Sequence, residues 1–110
     1  MTGRVLLTGG TGFIGSSLAR RLQARGQAVR VFARASSRAE ALRQEGVDVV
    51  SGDVRDCHAV ERAVAGCQSI VHLAATYRRE GLPLREFIGV NVDGTRHVLE
   101  AAQRQGVRRV

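Results

Sequence analysis

The stretch Thr8-Gly9-Gly10-Thr11-Gly12-Phe13-Ile14-Gly15 decides the fold. A short apolar run, Arg4–Thr8 (RVLLT), leads into it, as buried parallel strands do. Behind it, in Gly12–Arg25, Ile14, Leu18 and Leu22 recur at helical spacing and are expected on one face. Gly9, Gly12 and Gly15 stand three apart at this junction, each with a physical use. Gly9 permits the tight turn out of the strand. Gly12 lacks the Cβ that would keep a pyrophosphate from the backbone, and Gly15 lets the helix pack close to the sheet. The amides of Gly12 to Ile14 then face the phosphates from the positive end of a helix. Gly9, Thr11, Gly12, Phe13, Ile14 and Gly15 are the candidate dinucleotide-binding residues of this loop.

The same alternation of strand and helix continues along the chain. Gly26 ends the first helix, and Ala28–Ala33 (AVRVFA) reads as the second strand. Ser36 or Ser37 can cap a helix to about Glu45, stopped by Gly46, before a third strand at Val47–Ser51. Asp56 can cap a helix through Ala65, and Ser69–Ala74 (SIVHLA) is the fourth strand. After a loop around Thr76–Leu82, Pro83 suits the start of a long helix to about Gln105. Its predicted inner stripe is Leu84, Ile88, Asn91, Thr95, Val98 and Ala102, and Val107–Val110 opens a fifth strand. The order predicts an α/β Rossmann-type three-layer sandwich: an incomplete parallel sheet, strand order 3-2-1-4-5, ending in strand five.

Further candidates lie at the carboxyl ends of the predicted strands, where ligands of such sheets bind. Arg34 ends the second strand, with no acid before Glu40. Arginine there accommodates the 2′-phosphate of NADP, where an acid would bind the 2′-hydroxyl of NAD. NADP(H) is therefore the favoured cofactor, with NAD(H) the alternative. Asp53-Val54 follows the third strand; the carboxylate either accepts a hydrogen bond from an adenine amino group or caps the next turn. Leu73, Ala74 and Ala75 leave room for the ribose and nicotinamide. His72 reads as a satisfied core histidine rather than a catalyst.

The net charge of +7 comes from seventeen arginines with no lysine, scattered along the chain rather than clustered. With aromatics at only 4%, this reads as a solvated surface and not a nucleic-acid interface. No apolar run approaches the ~20 residues of a membrane span and no secretory leader is evident, so a cytoplasmic protein is expected. Cys57 and Cys67 read as free thiols, and His58, His72 and His97 are not spaced with them as a metal set.

Taken together these residues resemble the extended short-chain dehydrogenase/reductase superfamily, the NAD(P)-dependent epimerase/dehydratase group. The resemblance spans all 110 residues. TGGTGFIG is similar to the family's TGxxGxxG, Asp53-Val54 to its adenine-binding pair, and HLAA to its strand-four motif. Asn91-Val92-Asp93-Gly94-Thr95 resembles its N-V-x-G-T, in which the asparagine ties the helix to neighbouring strands. The Tyr77-Arg78 loop and Arg34 are most similar to the dihydroflavonol-reductase-like and hopanoid-associated sugar epimerase branches. The resemblance implies hydride transfer on a sugar-nucleotide or a ketone or alcohol substrate, and a homodimer for the full-length protein. It also implies a catalytic Tyr-x-x-x-Lys pair after strand five. Tyr77 is the only tyrosine here and there is no lysine, so the chain carries no such pair and no catalytic residue is assigned to it. It is expected to be the N-terminal part of a longer enzyme, lacking the substrate lobe and inactive alone. A non-catalytic NAD(P)-binding sensor of the same fold is the alternative, and YxxxK beyond Val110 would separate the two.

Overall fold

The computed structural model describes residues 3–10, 12–76 and 80–110. Four parallel strands, β1 (Arg4–Thr8), β2 (Val29–Ala33), β3 (Asp48–Ser51) and β4 (Cys67–His72), form a sheet in the order β3-β2-β1-β4. Helices α1 (Phe13–Ala24) and α2 (Ser37–Gln44) cover one face. On the other lie α3 (Cys57–Val64) and a long helix made of α4 (Leu84–Ile88), a π-helical segment Gly89–Gly94, and α5 (Thr95–Arg104). This is the Rossmann-type architecture expected.

Alternation along β1 divides the core in two. Val5 and Leu7 point to α1 and α2, where they meet Val31, Ala19 and Leu42. Leu6 points the other way, to Phe32, Val60, Val64, Ile70, Val98 and Ala101. Leu6 and Leu7 are fully buried, and each such burial stabilises by roughly 1.5–3 kcal/mol. Arg30 braces the periphery. Its Nη1 donates to the last carbonyls of α3, Ala63 O (2.8 Å) and Ala65 O (2.7 Å), while its Nε reaches Asp48 Oδ2 at 2.9 Å. A guanidinium there both satisfies orphan carbonyls and opposes the negative end of the helix.

Three expectations need correction. Ile14 does not share a buried face with Leu18 and Leu22; it is 66% exposed, and α1 turns Gly15 and Ala19 to the sheet instead. Close approach is the cause. A Cβ on Gly15 would stand 2.5 Å from Gly9 O, so the glycine-alanine edge of α1 is the one that fits against the loop. In the long helix, Leu84 and Ile88 face outward while Val90, Gly94 and Val98 are buried. The π segment holds an extra residue in one turn, which shifts the stripe that uniform 3.6-residue spacing predicts.

The fifth strand, finally, is not part of the sheet. Arg108 N–H donates to Gln68 O and Ile70 N–H to Arg109 O, both at 2.9 Å, giving one isolated parallel bridge between Ser69 and Arg109. The place beside β4 is the expected one. Val107 is still tied to Ala102 O at the end of α5, leaving too few residues alongside β4 for a ladder.

The local caps follow the sequence. Ser36 Oγ accepts from Ala39 N–H, and Asp56 Oδ1 accepts from His58 N–H (3.0 Å) and Ala59 N–H (3.3 Å). Asp56→Ala is expected to destabilise the chain by about 1 kcal/mol, seen as a lower urea midpoint with unchanged slope, and Asp56→Asn to keep most of that stability. Equal midpoints for Asp56→Ala and the parent chain would show that the cap contributes nothing.

Candidate functional site

The carboxyl ends of β1 and β4 part around a cleft of about 490 Å³. Gly9, Gly12 and Phe13 form one wall, Leu73, Ala74, Ala75 and Thr76 the other, and Arg34, Asp53 and Val54 the far end. Nine of the twelve candidate residues therefore come together. Thr11 lies outside the described residues; Ile14 and Gly15 stand behind the loop and do not line the cleft. Gly52, Thr76, Glu86 and Val90 also line it, beyond the residues the sequence motifs mark. Glu86 and Val90 reach it from the long helix, whose phase the sequence conceals.

Two glycines set the shape of the loop wall. Gly9 has φ +71°, and a Cβ there would stand 2.8 Å from Ala74 N, so the loop can lie against the end of β4 only without a side chain. Gly12 is the opposite case: among the described residues a Cβ would meet only Gly9 O, at 3.5 Å. Absence of a side chain at Gly12 thus opens space toward the cleft. Gly12 N-caps α1, and the first turn, Phe13 to Ser16, contains no acid. The positive end of the helix is left for an anion.

The opposite wall hangs on one hydroxyl. Thr8, fully buried, accepts from Leu73 N–H at 3.1 Å and Ala74 N–H at 3.2 Å. β4 ends at His72, two residues before the predicted limit: Leu73 N–H is shared between Thr8 O, at 3.0 Å, and the hydroxyl, and Ala74 N–H turns to the hydroxyl. Thr76 is fixed in turn by Asn91, which accepts from its N–H and donates to its carbonyl, both at 2.8 Å. The amide of Asn91 thus pairs with Thr76 as a neighbouring strand would. The long helix seats on the far end through His97 Nδ1–H, which donates to Val54 O at 2.8 Å, and through Gly94, where a Cβ would stand 2.7 Å from Val54 Cγ2.

Asp53 caps the turn that follows β3 and also lines the cleft. Its Oδ1 accepts from Arg55 N–H (2.9 Å) and Nε (3.0 Å), and its Oδ2 from Arg55 Nη2 at 2.7 Å. The Arg55 hydrogen bonds hold the Asp53 carboxyl below the usual carboxylate range. Arg34 stands 4.0 Å from the same carboxylate with its side chain 70% exposed at the mouth of the cleft. The solvent-facing Arg34 contact contributes little stability. Among the described residues no group of three or more His, Cys, Asp and Glu is arranged to hold a metal ion. None of the described helices is long and apolar enough to cross a membrane.

This fold and this cleft define a Rossmann-type nucleotide-binding domain of the short-chain dehydrogenase/reductase kind. The family model for the NAD dependent epimerase/dehydratase family matches residues 5–110, and the chain belongs to that family. It is 41% identical over 105 residues to sterol demethylase protein B of Methylococcus capsulatus, covering 96% of this chain and 32% of that protein. It is 42% identical over 114 residues to a 3 beta-hydroxysteroid dehydrogenase/Delta 5→4-isomerase of Mycobacterium tuberculosis, covering 97% of this chain and 30% of that one. Among solved structures, the Bordetella bronchiseptica enzyme WbmG in complex with NAD and UDP superposes with a TM-score of 0.86 at 31% identity, over 99% of this chain and 36% of that chain. The chain spans about a third of the length of the curated relatives it matches.

Burial pushes the His72 imidazole below its ordinary value. A histidine shifted downward binds fewer protons folded than unfolded, so its contribution to stability is full above the unfolded value near 6.5 and declines as pH falls below it. The urea midpoint is expected to fall between about pH 7.5 and about pH 5.5, and His72→Gln to flatten that decline. An identical slope in the variant would assign the acid sensitivity to other groups.

Proposed function

We propose that this chain is the dinucleotide-binding portion of an NADP(H)-preferring oxidoreductase or epimerase. The pyrophosphate sits over Gly12 at the amino end of α1, the adenosine ribose beside Arg34, and the nicotinamide ribose along Leu73–Ala75. The observation that carries this reading is the open backbone at Gly12 facing a cleft that eight further candidate residues line. The whole enzyme works by hydride transfer between the nicotinamide and a carbonyl or alcohol carbon. The names of the relatives support a sugar-nucleotide or an alicyclic alcohol or ketone as substrate: one neighbour binds NAD and UDP, and another is a steroid dehydrogenase. Lacking lysine and any tyrosine but Tyr77, the chain supplies no tyrosine-lysine acid/base pair, and alone it is inactive. Leu84, Ile88, Val92 and Leu99, exposed on the outer side of the long helix, support a homodimer for the whole protein.

The preference for NADP(H) rests on Arg34, whose planar fork suits a 2′-phosphate, and on Asp53, whose charge Arg55 already compensates. A charge-assisted phosphate contact contributes about 1.5–3 kcal/mol, so NADPH is expected to bind roughly ten- to hundredfold tighter than NADH in a fluorescence titration. Arg34→Ala should abolish the difference by weakening NADPH alone, and Gly12→Val should weaken both cofactors. Tighter NADH than NADPH binding would overturn the preference; unchanged binding in Gly12→Val would overturn the placement of the pyrophosphate.

A further inference from the structure

His72 stands where the end of β1, the end of β4 and the long helix meet, and both ring nitrogens are engaged. Nδ1 is 2.6 Å from Thr8 Oγ1 and Nε2 is 2.9 Å from Thr95 Oγ1. The protons of this chain can be placed by counting. Thr8 Oγ1 accepts from Ala74 N–H and shares Leu73 N–H with the Thr8 main-chain oxygen, so its lone pairs face the two amides and its proton is left to face His72. Nδ1 is then an acceptor and carries no proton. The other end gives the same answer independently. Thr95 Oγ1 donates to Asn91 O at 2.9 Å, so toward the ring it accepts, and Nε2 carries the proton. The Asn91 carbonyl is available for this bond because the Thr95 N–H turns to Val92 O within the π segment.

We propose that His72 is a positioning residue, fixed as the neutral Nε2–H imidazole, that wires the root of the glycine loop to the π segment and thereby sets the separation of the two cleft walls. The ordered path runs Thr8 O–H to Nδ1, Nε2–H to Thr95 Oγ1, and Thr95 O–H to Asn91 O. It ends on a backbone carbonyl, so it moves no proton to a ligand, and no ring nitrogen is left over for acid/base work. A protonated ring would aim an N–H at a Thr8 oxygen whose lone pairs already face two amides. The low proton affinity conferred by burial agrees with this. The side chain of Asn91 holds Thr76 while its carbonyl receives the end of this path, so a single helical residue anchors one cleft wall twice. That these walls hold a dinucleotide rests on the function proposed above; the wiring itself does not.

The test has a spectroscopic and an energetic arm, both on the 110-residue chain. Long-range ¹⁵N–¹H correlation of the histidine rings at pH 7, with His72→Gln to assign the signal, is expected to show the Nε2–H neutral form for His72. An Nδ1–H form or a cationic ring at that pH would overturn the proposal. Thr8→Val and Thr95→Val do not touch one another through side-chain hydrogen bonds, yet their effects on NADPH affinity should be non-additive by about three- to tenfold, as residues of one network are. In a His72→Leu background the same pair should become additive. Additivity in the parent chain, or coupling that survives His72→Leu, would sink the relay. If the parent chain binds neither NADPH nor NADH, the reading of the cleft fails; the ring spectrum and the same cycle measured in unfolding free energy still decide the wiring.

Discussion

The buried hydroxyl of Thr8 is the constraint on which the site depends. It lies at the last position of the central strand β1, flanked by β2 and β4, with no exposed surface. A polar group at such a point must find partners or cost on the order of 1–3 kcal/mol. Thr8 finds three: two amides that leave β4, and the ring of His72. Leu73 N–H still meets the Thr8 main-chain oxygen, but by taking Ala74 N–H the hydroxyl bends the chain away from the sheet at the height where the glycine loop leaves on the neighbouring strand. The crevice is thus made by one side chain's demand for hydrogen bonds, at the point where the connections of the sheet diverge.

The long helix completes the crevice and departs furthest from regularity. Gly94 lets it approach Val54, His97 holds the Val54 carbonyl, and Asn91 pairs with Thr76. A uniform α-helix through 84–104 would place its apolar stripe on Leu84 and Ile88. The π segment places Val90 and Gly94 there instead and brings Glu86 to the cleft. π-helical turns occur often at functional sites, and here the carbonyl that the regular ladder would use, Asn91 O, receives the Thr95 hydroxyl instead.

What the sequence reveals divides by range. The strand-loop-helix unit around Gly9–Gly15, the caps Ser36 and Asp56, and the order of elements are written in adjacent residues and can be read directly. Nine of twelve candidate site residues share one cleft because the carboxyl edge of a parallel sheet gathers them whatever the details. The engagement of Asp53 by Arg55 could have been noticed from their spacing, since a carboxylate two residues before an arginine often caps its amide. The partners of His72 could not: Thr8 and Thr95 are brought to it by sheet pairing and helix docking, 64 and 23 residues away along the chain. The exposure of Ile14 and the change of helical phase are likewise settled by packing against distant backbone, which periodicity does not encode.

The π segment also has a bearing on how sequences of this kind can diverge in length. An ordinary helix resists gain or loss of a residue, because everything beyond the change rotates by about 100°. Gly89–Gly94 already holds one residue more than α-helical bonding needs, so losing one would restore the regular ladder instead of breaking it. The bulge is therefore a point where a single-codon deletion leaves a continuous helix but swings Glu86 around its axis, away from the crevice. Sequences aligned across this helix with a one-residue gap between 89 and 94 would differ in what that helix presents to a bound molecule, even with every strand and glycine retained.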